Sequence, residues 1–222
     1  MATADLNFFL QAANFVDINN DGLVDFFGCN DDGVPYVYQN LDNNNWIFNL
    51  GLITAVSPDT SDDDSGNYGS VWTDYDSDGD IDLYISKCRI GVTDTADGRR
   101  TNLLFENDGS NNFSEVALDV GLRPFGQSWA TDFGDIDNDG FKDLFVTTSQ
   151  HHNNLLLLNN GDNTFSEISI AAGITDSVWS MSASFGDINR DGFLDIYCGN
   201  YSKYLRSEEH TSELQSHSDL VC

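Results

Sequence analysis

The chain has 222 residues and a formal net charge of −28, from 37 acidic residues against 9 basic ones. Such a balance argues against nucleic acid or an anionic membrane surface as partner, since like charges repel on approach. No run of 18 apolar residues occurs, so no membrane insertion by a helix is expected; residues 1–15 lack the basic start and apolar block of a signal peptide, so the start is read as cytoplasmic, processed or incomplete.

In chain order, a short strand carrying Phe15 runs into Asp17-Ile-Asn-Asn-Asp-Gly-Leu-Val-Asp25, and an apolar strand, Asp25-Phe-Phe, leaves it. A third strand at Tyr36-Val-Tyr turns through Asn43-Asn-Asn45 into a fourth at Trp46-Ile-Phe. The same order returns around Trp72, Asp74-Tyr-Asp-Ser-Asp-Gly-Asp-Ile-Asp82, Leu103-Leu-Phe and Phe113-Ser-Glu-Val. It returns again around Phe133, Asp135-Ile-Asp-Asn-Asp-Gly-Phe-Lys-Asp143, Leu155 to Leu158 and Phe165-Ser-Glu-Ile168. A fourth unit begins with Phe185 and Asp187-Ile-Asn-Arg-Asp-Gly-Phe-Leu-Asp195, and runs on to Ile196-Tyr-Cys. The loop glycines Gly22, Gly79, Gly140 and Gly192 lie 57, 61 and 52 residues apart, which marks an internal repeat.

Four short antiparallel strands per unit, joined by turns rich in Asn, Asp and Gly, predict an all-β fold: a partial β-propeller of four-stranded antiparallel blades, about three and a half of them. The expected blades are residues 12–52, 68–121 and 129–174, with 180–205 incomplete, forming an open arc or a forced closure of poor packing. Residues 1–205 are read as this module. The remainder, 206–222, resembles the translation of a sequencing-library adapter over Arg206 to Ser216 and is expected to be non-native.

The loops carry the chemistry. Carboxylates converging within nine residues repel by roughly 4 kcal/mol per contacting pair at a protein surface, so they need a neutralising partner. Oxygen donors alone, with Gly for the sharp turn at position six, suit a hard cation with six to eight ligands, hence calcium. Acids fill fourteen of the sixteen places at positions one, three, five and nine, with Asn at position three of the first and fourth loops. An EF-hand loop would need an acidic ligand at position twelve on a helix, where this chain has Gly28, Ile85, Val146 and Cys198.

Other candidates are read blandly. Cys29, Cys88 and Cys198 are expected to be small buried hydrophobes on strands, and His151-His152 a loop surface. Asp59 to Asp64 is expected to be a solvated loop, and Arg99-Arg100, in an insertion from Ile90, a surface pair.

These motifs resemble the FG-GAP, or VCBS, repeats of integrin-α-like β-propellers over Phe15 to Leu205. The run Asn154 to Ile174, followed by Phe185-Gly-Asp-Ile-Asn-Arg-Asp-Gly, is especially similar to secreted proteins in which such repeats precede an ASPIC/UnbV domain. The resemblance implies up to four calcium ions. By position, the first site is Asp17, Asn19, Asp21, the Leu23 carbonyl and Asp25; the second is Asp74, Asp76, Asp78, the Asp80 carbonyl and Asp82. The third is Asp135, Asp137, Asp139, the Phe141 carbonyl and Asp143; the fourth is Asp187, Asn189, Asp191, the Phe193 carbonyl and Asp195. It also implies an extracellular, cell-surface or periplasmic module that binds a protein or glycan, packs against further blades of its own chain and performs no chemistry. The alternative is part of a calcium-dependent polysaccharide lyase or another enzyme built on a propeller.

Overall fold

The structure is a computed structural model and describes residues 9–42, 45–53, 66–89, 91–94, 97–124, 126–148, 152–175 and 179–201. The adapter-like stretch, Asp59 to Asp64 and His151 therefore lie outside the described residues. The first sheet is β1 (Leu10–Val16), β2 (Asp25–Asn30), β3 (Tyr36–Asn40) and β4 (Trp46–Phe48), and the second is β5 (Asn67–Thr73), β6 (Asp82–Lys87), β7 (Leu103–Asn107) and β8 (Phe113–Glu115). The third is β9 (Ser128–Gly134), β10 (Asp143–Thr148), β11 (Leu155–Asn159) and β12 (Phe165–Glu167). A two-stranded sheet of β13 (Trp179–Gly186) and β14 (Asp195–Tyr201) follows. Every neighbouring pair is antiparallel and adjacent in sequence, so each sheet is a meander, and the fold is a partial β-propeller. A short helix, α1 (Ala117–Val120), ends at Gly121 in the left-handed conformation (φ 83°).

The core lies between sheets. Strand β6 is buried on both faces: Leu83 and Ile85 pack with Phe27 and Val37 of the first sheet, while Tyr84 packs with Leu144 and Val146 of the third. A strand covered on both sides reads as a continuous apolar run, which is the pattern that leaves each Asp loop. The aromatic two residues before each loop packs backward onto the preceding sheet: Trp72 meets Phe27 at 5.3 Å between ring centroids and Phe133 meets Tyr84 at 5.8 Å. The residue at loop position two packs forward. Ile18, Tyr75 and Ile136 are buried, each in the seam shared with the following sheet, whereas Ile188, with no described sheet after it, is 66% exposed. At the other end Phe15, with no described sheet before it, is 69% exposed.

The first strands of the four sheets, β1, β5, β9 and β13, lie side by side in chain order. Gly69 makes the close approach possible, because a Cβ there would sit 2.8 Å from the Trp129 carbonyl oxygen. Ser70 and Asn14 are hydrogen-bonded across the same row of strands, and the backbone N–H of Phe185 donates to Asp132 Oδ2 at 3.0 Å. Cys29 on β2, Cys198 on β14 and Cys88 just after β6 are free thiols; Cys29 and Cys88 are buried, and burial pushes both up to about 12. No described helix is long and apolar enough to cross a membrane.

Candidate metal centres

Each Asp loop joins the first and second strand of a sheet. The residue before position one pairs with the Asp at position nine, as Val16 with Asp25, Thr73 with Asp82, Gly134 with Asp143 and Gly186 with Asp195. Position twelve therefore falls within a strand, not on a helix.

Inside the loops the hydrogen bonds repeat residue for residue. The position-one carboxylate accepts from the backbone N–H groups at five and six: Asp17 from Asp21 and Gly22 at 3.1 and 2.8 Å, Asp74 from Asp78 and Gly79 at 3.0 and 3.1 Å. Asp135 takes both bonds at 3.0 Å and Asp187 both at 3.1 Å. The position-five carboxylate accepts from the N–H at seven, that is from Leu23, Asp80, Phe141 and Phe193, at 2.8 to 2.9 Å. The same scheme holds in all four loops.

Such a tight turn needs two left-handed residues. Position six is Gly throughout, with φ between 84° and 101°. Position four is the second, at φ 56° for Asn20, 64° for Ser77, 59° for Asn138 and 65° for Arg190. Asn tolerates that region and Arg does not favour it. The requirement at position four was missed in the sequence, although Asn in two of four loops was its signal.

Position nine has a different environment. Asp25, Asp82 and Asp143 are buried, and each carboxylate spans two strands. One oxygen accepts from the N–H at position two and the other from an Asn at the end of the third strand: Asn40 at 2.8 Å, Asn107 at 2.9 Å and Asn159 at 2.9 Å. Asn40 and Asn107 also donate their side-chain amides to the carbonyls of Val24 and Ile81. These asparagines were not singled out from sequence; the recurring Asn that closes Tyr38-Gln-Asn40, Phe105-Glu-Asn107 and Leu158-Asn159 was the available signal. In the fourth unit Asp195 accepts from Ile188 N–H at 2.9 Å.

Asp74, Asp76 and Asp78 each offer an oxygen within 4.8 Å of the other two, and so do Asp135, Asp137 and Asp143. Burial, followed by the neighbouring carboxylates and against two backbone N–H bonds, raises Asp82 to about 7 and Asp143 to about 6. Asp25 is raised for the same reasons, and Asp76 and Asp137 by burial and by Asp78 and Asp139 respectively. Uncompensated negative charge is thus crowded at these points, and an all-oxygen donor set of this kind fits a hard divalent cation. The first loop differs. Its Asn19 donates its amide to Asp21 Oδ2 at 3.0 Å, so the side chain at position three is bonded to the carboxylate at position five.

Away from these loops, toward the starts of the inner strands, lies a recess of about 330 Å³ that all four strands line, with Gln11, Tyr68, Ser70, Trp129, Thr131 and Met181 among its walls. Tyr68 and Trp129 stand edge to face at 4.8 Å, and the buried indole N–H of Trp129 has no partner among the described residues.

Residues 90–146 and 135–198 each match the FG-GAP-like repeat model; both segments include the loop from Asp135 to Asp143, and the second also includes that from Asp187 to Asp195. No curated protein sequence matches. Among solved structures the chain is similar to the one described as the structural basis of specific recognition of non-reducing terminal N-acetylglucosamine by an Agrocybe aegerita lectin, with 17% sequence identity and a TM-score of 0.49. The likeness covers 86% of this chain and 48% of that one, so this chain spans about half the length of the lectin chain.

Proposed function

Since this chain carries two FG-GAP-like repeats, we propose that it is a calcium-stabilised binding module that performs no chemistry of its own. The observation that carries the calcium reading is the gathering of three carboxylates within 4.8 Å of one another in the second loop and again in the third, in a hydrogen-bonded loop geometry that recurs in all four. Calcium would be held at the second site by Asp74, Asp76, Asp78, the Asp80 carbonyl and Asp82, and at the third by Asp135, Asp137, Asp139, the Phe141 carbonyl and Asp143. The first and fourth sites use the same positions, with Asn19 and Asn189 at position three. The ion would neutralise the cluster and fasten the first strand to the second, so binding is linked to folding. Exposed loops of this charge suit the calcium levels met outside cells, which supports an extracellular or periplasmic location.

The recess among the inner strands is the proposed seat of the ligand. Aromatic rings beside hydroxyls and an amide, with no charged side chain among the described lining residues, suit a neutral glycan or an uncharged peptide surface. The exposed ring of Phe15, whose counterparts are packed between sheets, supports a further blade against β1. Calcium should raise the thermal midpoint of the protein and a chelator should reverse the rise, and a glycan array probed with the calcium-loaded protein should give binding that Trp129→Phe weakens. A midpoint indifferent to calcium rules out the metal reading, and array binding that survives Trp129→Phe unchanged rules out the recess.

A further inference from the structure

We propose that the second and third Asp loops take up their ions as a coupled pair, and that Lys142 is the positioning residue that couples them; this rests on the calcium reading above. Lys142 occupies position eight of the third loop, between Phe141 and Asp143, yet its ammonium is bonded to the neighbouring blade. Nζ donates to the carbonyl of Asp74 at 2.6 Å and to Thr73 Oγ1 at 3.0 Å. Asp74 is position one of the second loop, and its carboxylate is the one that gathers the N–H groups of Asp78 and Gly79. One side chain therefore joins the backbone that closes one site to the residue that opens the next.

Each seam has a bond of this sort. Asn111, in the turn between β7 and β8, donates to the Asn19 carbonyl at 2.9 Å, and Asn138 of the third loop donates to the Gly192 carbonyl at 3.0 Å. Those two are neutral amides at exposed positions; the bond from Lys142 to Asp74 is part-buried and charge-assisted, so it is the stronger link. An ion in the third site fixes residues 141–143 and hence the ammonium that holds Asp74. The second loop then has less ordering left to complete when its own ion arrives, which is positive coupling without a change of fold. Charge repulsion between the ammonium and the two ions acts differently: it weakens both sites alike and does not make one depend on the other.

Calcium titration of the full chain, followed by the NMR amide signals of Gly79 and Gly140, reads the two sites separately. Asp135→Asn cripples the third site. In the wild-type background it should raise the midpoint at Gly79 by about five- to tenfold, a modest allosteric coupling. In a Lys142→Met background the same change should move that midpoint by less than about twofold, while Lys142→Arg keeps the dependence. Lys142→Gln serves as a second neutral variant in case the Met form does not fold. Equal shifts with and without the ammonium, or no shift in either, would overturn the coupling while leaving calcium binding intact. Failure of Gly79 to respond to calcium in any form would remove the calcium reading as well.

Discussion

The carboxylate of Asp143 accepts the backbone N–H of Asn159 at 2.9 Å through one oxygen and that of Ile136 at 2.9 Å through the other. It thereby fixes the end of β11 to the loop that precedes β10, and Asp25 and Asp82 make the same pair of bonds in their own sheets. The position-nine acid is thus a strand clasp by its hydrogen bonds alone. Asp143→Asn keeps the shape but turns an amide NH2 toward one of two buried N–H groups, which should cost about 2–4 kcal/mol. Urea unfolding in the presence of a chelator is the measurement, with Asp139→Asn, at an exposed position that accepts a single loop N–H, as the control expected to cost less than about 1 kcal/mol.

Loop occupancy should follow charge and strain. The second and third loops carry four acids each, and the first and fourth replace one with Asn; the fourth also holds Arg190 at φ 65°. Isothermal titration should therefore show the second and third sites filling before the others, and Asn19→Asp should tighten the first. Arg190→Asn removes a misplaced cation and an unfavourable backbone conformation, so it should stabilise the protein by roughly 0.5–1 kcal/mol even without calcium. Equal affinity at all four sites would contradict the charge argument.

What the sequence disclosed and what it hid divide by distance along the chain. The loop is nine residues long, and Asp, Asn and Gly at fixed places within it serve one turn, so both the repeat and its β-hairpin setting were legible locally. The clasp was not, because Asn40, Asn107 and Asn159 follow their acids by 15, 25 and 16 residues, an interval set by hairpin length rather than by a motif. Lys142 is further still, 68 residues from the carbonyl it holds. The aromatic before each loop was visible as a regularity, yet its destination was not: that Trp72 packs on Phe27 and not within its own sheet depends on how one blade twists against the last.

Lys87 gives a pH dependence of known sign. Its Nζ donates to Asn67 Oδ1 at 2.9 Å at the buried end of β6, and burial lowers it from 10.5 to about 7. Between those values the unfolded chain binds the proton that the folded chain has released, so this group's contribution to stability rises with pH through that window. Wild type should gain about 3 kcal/mol relative to Lys87→Met as pH rises from about 7 to 10. Parallel urea titrations of the two proteins across that range test it; a constant difference would mean that Lys87 stays charged in the fold.

Gly134 and Gly186 occupy the same place in successive repeats, each between an aromatic and the first Asp of a loop, and only one of them is covered. A Cβ on Gly134 would lie 2.9 Å from Phe185 Cδ2 and 3.0 Å from Leu194 Cδ1, both from the following repeat, whereas one on Gly186 would meet no described atom within 4 Å. Neither glycine has a positive φ, so backbone strain does not enter and the contrast isolates packing across the seam. Gly134→Ala should destabilise by about 1–3 kcal/mol, since the ring of Phe185 must shift in a seam that also holds Ile136, Phe145 and Ile196. Gly186→Ala should be neutral or slightly stabilising, within about 0.5 kcal/mol. If Gly186→Ala also cost about 1–3 kcal/mol in chemical denaturation, Gly186 would be covered in solution as closely as Gly134 is, and if neither substitution cost anything the seam would not be tight at Gly134.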